Sequence, residues 1–338
     1  MGRMFNKKYL TGYRTSLFLT YQQPQKKDKR YEEYFNGSYK KVEEIVNNEN
    51  ISLLIEEKLI SDNNIYDIFI SINVHENIEF LKAQLENIIY FTKHLKICII
   101  YNCNKFMLDT INESKILESY NNIKLILNPV SIEKKRWHGT LLEGIFKNLE
   151  FGIDNNIKFK YFLILSSRNI FNKKLDVNNI ESRLTLFYNN IMELIKDNKH
   201  FYFNKDDKFY LCDGTILDKW HADMTTTRNW FWGRDSVKQS FWFKEIYKQL
   251  DFFIGGRHEA LCIPFDNCNK INTYMKENVE ILQDCYKFNI AMEEVIPQCL
   301  ASKFVTNNKM YTFVSECIKI PRTIEDIKRE RNKLEELN

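Results

Sequence analysis

The apolar run Tyr161–Leu165 stops abruptly in Ser166, Ser167, Arg168 and Asn169. Two hydroxyls, a guanidinium and an amide at a strand end are groups that hold a ligand, and in α/β proteins the carboxyl ends of strands are where ligands sit. An earlier strand pattern, Ile65–Val74, ends in the same style with Val74, His75 and Glu76, and Lys96–Asn102 closes on Asn102. Trp137 and Gly139 precede a helical pattern: the ring offers a flat wall and the glycine permits close backbone approach. Downstream, Gly255 and Gly256 lead into Arg257, His258 and Glu259, a cluster suited to a loop beside a reacting group. Glu293 and Glu294 open another helical pattern. Either carboxylate could take a proton from a hydroxyl as a general base; acids at a helix start also simply satisfy the macrodipole.

The elements that must position these residues are legible as alternating periods. Ile65–Val74 reads as a strand, and the segment after it as a helix with Ile78, Leu81, Leu85, Ile88 and Ile89 on one face. A second strand at 96–102, a helix near 105–119 and a strand at 123–129 follow. Next come a helix carrying Leu141, Leu142, Ile145, Phe146 and Leu149, then the strand that ends in Ser166. Four strands alternating with helices predict a mostly parallel, Rossmann-like α/β sheet covered on both faces, with right-handed crossovers. A long helix is expected at 176–196, then a hairpin near 200–220 with turns at Asp206-Asp207 and Asp213-Gly214. Residues 1–60 read as a helical N-terminal extension, 61–320 as one catalytic-sized domain, and 321–338 as a charged C-terminal helix.

Composition narrows the class. Hydrophobic residues at 44% and aromatic residues at 14% describe a globular chain with a sizeable core. The formal charge of +4 arises from 49 basic and 45 acidic residues spread without a basic block, so charge alone points to no nucleic-acid partner. No apolar stretch reaches the ~20 residues of a membrane span, and no signal peptide is read. Eight cysteines without a Cys-x-x-Cys pair are expected to be reduced core thiols in a cytoplasmic protein.

Three segments together resemble the core-2/I-branching β-1,6-N-acetylglucosaminyltransferase and xylosyltransferase family. "ISINVHENIEFLKAQLENI" is similar to its first strand and helix, "RWHGTLLEGIFKNLEFGI" to its Trp-Gly segment, and "YFLILSSRNIFNKKL" to its Leu-Ser-Gly-Gln-Asp-Tyr-Pro-Leu block. The order and spacing match over roughly residues 68–175. The Gly-Gln-Asp part is replaced here by Ser167, Arg168 and Asn169, and the disulfide pattern of secreted members has no counterpart. The resemblance implies a GT-A glycosyltransferase fold and an inverting transfer from a UDP-sugar, carrying GlcNAc or a xylose-like sugar, to a glycan or protein hydroxyl. It further implies no metal and no other cofactor. No Asp-x-Asp occurs in the chain, in keeping with a family that meets the diphosphate with basic side chains.

By the same resemblance, Val74, His75, Glu76, Asn102, Trp137, Gly139, Ser166, Ser167 and Arg168 are expected around the donor. Glu294, with Glu293 next, is expected as the base. Lys303, Lys319 and Arg322 fall where the family places its diphosphate-binding Arg and Lys, and Arg168 is the basic residue singled out by its strand-end position. Arg257, His258, Glu259 and Trp232 are expected toward the acceptor. Three other readings stay open: a metal-dependent transferase holding Mn2+ through His221 and Asp223, a single-stranded nucleic-acid binder built on aromatic and basic residues, and a glycosyltransferase-like scaffold without activity.

Overall fold

The alternation of periods is realised as strand β1 (Ile65–Asn73), helix α1 (Ile78–Thr92), β2 (Ile97–Asn102), α2 (Lys105–Glu113), β3 (Lys124–Leu127), α3 (Thr140–Asp154) and β4 (Lys158–Ser166). The computed structural model describes residues 65–335 apart from 115, 117–122, 131, 133–138, 197–200, 203–207, 212–252, 256–257, 288–292 and 294–295. The extension read over residues 1–60 lies outside the described residues. After β4 come β5 (Ile170–Phe171), α4 (Val177–Lys196), β6 (Phe201–Tyr202), β7 (Lys208–Leu211), β8 (Phe253–Gly255) and β9 (Leu261–Pro264). They are followed by α5 (Phe265–Glu277), α6 (Glu280–Lys287), α7 (Ile296–Lys303), β10 (Thr312–Phe313), β11 (Ile318–Lys319) and α8 (Ile324–Glu335).

Local chemistry starts the helices where they start. Asn77 and Asn104 cap α1 and α2 by accepting from the N–H groups of Phe80 and Met107. At α8, Thr323 Oγ1 accepts from Asp326 N while Asp326 accepts from Thr323 N, a reciprocal cap that satisfies two orphan donors.

The main sheet has six strands in the order β10-β9-β4-β1-β2-β3. Strands β1 to β4 are mutually parallel, while β9 runs antiparallel to β4 and β10 antiparallel to β9. The chain thus moves outward from β1 to β3 and then returns to lay β4 on the other side of β1. Right-handed crossovers in opposite directions put helices on opposite faces, and the two cores bear this out. Ile68, Ile70, Ile72, Ile99, Leu163 and Leu165 pack with Leu81, Leu85 and Ile88 of α1 and Ile180 and Leu184 of α4. Phe69, Cys98, Ile100, Phe162 and Ile164 face Leu142, Ile145, Phe146 and Leu149 of α3, with α5, α6 and α7 beside them. Strands buried on both faces need apolar residues at successive positions, which is why these runs show no polar alternation.

Some polar groups within this core are paired with one another. Asn148 of α3 donates to Ser71 Oγ of β1 and accepts from Asn128 Nδ2, tying the end of β3 to the sheet. Helix α8 docks on α1, with Ile324 and Ile327 against Phe80, Ala83 and Ile170. The expected hairpin is present as β6 against β7, Phe201 opposite Phe209; its turns at 206–207 and 213–214 lie outside the described residues. The seven described cysteines are all buried. No helix among the described residues is long and apolar enough to cross a membrane.

Candidate functional site

The strand order reverses between β1 and β4, and in open α/β sheets ligands bind outside the carboxyl ends of the strands at such a point. Register places Asn73, the last residue of β1, opposite Ser166, the last of β4, and opposite Asn102 on its other side. The residues that follow the two central strands therefore meet although 92 positions separate them. His75 and Glu76 come from one strand, Ser167 and Arg168 from the other.

Their contacts form a closed ring. Arg168 grips Glu76 side-on, Nε to Oε1 at 2.6 Å and Nη2 to Oε2 at 3.3 Å. Glu76 Oε1 lies 3.7 Å from His75 Nε2, and Ser167 Oγ is 3.0 Å from that same nitrogen. Ser167 Oγ is also 3.2 Å from His75 Nδ1, so the hydroxyl faces the ring edge and bonds one nitrogen at a time. The Glu76 carboxylate raises the pKa of Arg168, which keeps the guanidinium charged. Ser167 is buried, whereas the side chains of Arg168 and His75 remain 52% and 46% exposed. The ring thus has a buried base and an open mouth.

Helix α1 holds this edge in place through two amides that carry no signal in the sequence beyond lying on a helix. Gln84 Nε2 donates to the carbonyls of Ser166 at 3.0 Å and Asn169 at 2.7 Å. One turn on, Asn87 exchanges two bonds with the backbone of Phe171, giving to its carbonyl and accepting from its N–H. Asn169 closes the loop on itself, its Oδ1 accepting from Ser166 N. The turn that carries Ser167 and Arg168 is therefore fastened at both ends. Asn73 acts similarly on the neighbouring element, donating to Leu141 O in the first turn of α3.

Several expected residues occupy other stations. Val74 is buried in the core on the α1 face. Asn102 is fully buried and donates to Val130 O, so its amide holds the segment after β3. At Gly139 an added Cβ would lie 2.7 Å from the Cβ of Cys285, a packing reason for glycine where α3 meets α6. The Cys285 thiol is pushed well up, chiefly by burial and then by the charges of Asp284 and Glu293. Glu293 is itself buried, and its charge reaches that thiol. Glu143, in the first turn of α3, is a second buried carboxylate that sequence patterning does not reveal.

His258 and Glu259 reach the same edge of the sheet because β9 runs antiparallel and so begins where β4 ends. Ala260, held at φ 68, donates to Ile164 O, and His258 Nδ1 is 3.7 Å from Glu259 Oε2. Lys319 comes alongside through the β5–β11 pair, opposite Ile170, with its ammonium 3.1 Å from Glu330 of α8. The Arg322 N–H bonds to Asp326 at the start of the same helix. Lys303 stands apart: its Nζ sits 3.5 Å from the centre of the Tyr274 ring of α5, a cation–π contact. That helix packs toward the opposite end of β4, with Phe265 against Phe159 and Lys276 on Asp154. Trp137, Arg257, Trp232, Glu294, His221 and Asp223 lie outside the described residues. Among the described residues no group of three or more His, Cys, Asp and Glu side chains is arranged to hold a metal ion. No protein-family model matches the chain, and no curated protein matches it.

Proposed function

We propose that the protein is an inverting, metal-independent glycosyltransferase of GT-A type that moves a sugar from a UDP-sugar to a hydroxyl of a glycan or protein. One observation carries this reading: the Val-His-Glu end of β1 and the Ser-Ser-Arg-Asn end of β4, two of the three segments that resemble the transferase family, lie side by side where the strand order reverses. The third resembling segment contributes Gly139 at the start of α3, packed against Cys285.

The chemistry assigned to this edge is a single displacement. A glutamate, Glu294 or its neighbour Glu293, takes the proton of the acceptor hydroxyl; the freed oxygen attacks the anomeric carbon, and the bond from that carbon to the diphosphate oxygen breaks. The charge that develops on departing UDP needs fixed positive groups. Lys319, held beside the β4–β5 turn, and Arg322 are the basic side chains assigned to it. A UDP-release assay over a panel of UDP-sugars, run in EDTA and in Mn2+ with a mixed glycan acceptor, tests the proposal. Sugar-dependent UDP release in EDTA is expected. Release that requires Mn2+ removes the metal-independent mechanism, and no release with no nucleotide binding removes the transferase reading.

A further inference from the structure

The ring of side chains across the ends of β1 and β4 has a composition that a phosphate does not want. A phosphate only accepts hydrogen bonds, so a site built for one presents donors. Here the carboxylate of Glu76 stands in the centre, 2.6 Å from Arg168 Nε and 3.7 Å from His75 Nε2. It compensates the guanidinium charge and would repel an incoming diphosphate. The groups that remain available are mixed. Arg168 keeps three N–H bonds after giving Nε and one Nη2 proton to Glu76, Glu76 retains acceptor lone pairs, and the Ser167 hydroxyl beside His75 can give or receive. Sugar hydroxyls also both give and receive. A neutral pair with a donor edge and an acceptor edge matches two adjacent hydroxyls at no cost in unbalanced charge.

We propose that Glu76 and Arg168, with His75 and Ser167, form a subsite for adjacent hydroxyls of a neutral sugar, and that Arg168 is not the counter-charge of the diphosphate. This rests on the reading of the protein as a UDP-sugar transferase. Glu76 is then a positioning residue as well, since its two-point grip fixes the orientation of the guanidinium. The sugar is either the donor's own or the acceptor's, and the chemistry is shared.

The test is calorimetric titration of the full chain with UDP, UDP-GlcNAc, UDP-xylose and the neutral disaccharide N-acetyllactosamine. Wild type is compared with Glu76→Gln, Arg168→Gln and Arg168→Lys, each checked for an unchanged melting curve. Losing a hydrogen bond to a charged group corresponds to about 10- to 100-fold in affinity. All three variants are expected to lose about that factor for the sugar-bearing ligand and to hold UDP within about twofold. Loss on a UDP-sugar assigns the subsite to the donor, and loss on the disaccharide assigns it to the acceptor. The lysine variant separates the alternatives, because it keeps the charge and loses the planar fork. If Arg168→Gln weakens UDP as much as UDP-sugar and Arg168→Lys restores both, Arg168 is a counter-charge: the subsite is refuted and the transferase reading stands. A wild type that binds UDP and UDP-sugars alike and ignores the disaccharide overturns the subsite too. A wild type that binds no nucleotide overturns both.

Discussion

Replacing Gln84 by leucine removes the amide that fastens the turn bearing Ser167 and Arg168, and the structure fixes how much that should cost. Gln84 is fully buried, and its Nε2 supplies two carbonyls, Ser166 O and Asn169 O. These losses are unequal. Ser166 O keeps a second donor, the N–H of Asn169 at 3.0 Å, so only the bond itself is lost, about 1 kcal/mol. Asn169 O has no other donor among the described residues, and leaving it buried without one costs a further 1–3 kcal/mol or so on top of the bond. Against this, Gln84 Oε1 is itself a buried oxygen with no hydrogen-bond partner, and leucine relieves that burden by about 1 kcal/mol. The net expectation for Gln84→Leu is a destabilisation of about 2–4 kcal/mol. It should be read as a lower urea midpoint at unchanged slope. The local signature is sharper: amide exchange of Ser167, Arg168 and Ile170 should accelerate well beyond that of Ile68–Ile72 in β1. A midpoint within about 0.5 kcal/mol of wild type, with exchange unchanged at those amides, would refute the claim that α1 holds the turn.

Two further perturbations test the packing and the electrostatics. Gly152 lies on the side of α3 that meets β1, and an added Cβ would come 2.3 Å from Phe69 Cε1. Phe69 is hemmed in by Phe159 and Phe162 at 5.1 and 5.7 Å, so overpacking should outweigh the ~1 kcal/mol gain in helix propensity. Gly152→Ala should therefore lower the melting temperature by a few degrees, and adding Phe69→Leu should recover part of the loss; a higher melting temperature for the single variant would contradict the packing. Glu181 accepts from Lys309 and Tyr161, which hold its carboxyl below the usual range against partial burial. A lowered native pKa contributes stability above the unfolded value, about 4.3, and that contribution is lost as pH falls through the folded value. Glu181→Gln should thus lose less stability than wild type on acidification below about pH 4.3, and parallel urea-midpoint curves for the two proteins would contradict it.

Much of this molecule was legible as a string of residues. The runs Ile65–Asn73, Ile97–Asn102 and Tyr161–Ser166 announce buried strands because both their faces must be apolar, and the stripes of α1 and α3 follow from a 3.6-residue period. The hydroxyl, amide and charged residues that close those strands stand out for the same local reason: they interrupt an apolar run. A short-range pattern fixes the element and its end.

What the ends face was settled only by folding. That β4 returns to the inner side of β1 depends on burying two apolar faces at once with right-handed crossovers, and this alone joins His75 to Ser167 and Glu76 to Arg168. No local period encodes that Arg168 arrives already paired with a carboxylate, or that Lys303 is drawn onto Tyr274 instead of the carboxyl ends of the strands. Nor does a local period show the direction of β9, which carries His258 and Glu259 to the carboxyl ends. Gln84 and Asn87 make the point most plainly. In sequence they are amides on a helix that also presents apolar residues; in the fold they supply the hydrogen bonds a bent, buried backbone cannot make for itself. The sequence determined which segments are strands and helices and which residues end them, since those follow from neighbours in the chain. Tertiary structure decided which ends meet and with what net charge, since that follows from the closing of a sheet whose strands are far apart in sequence.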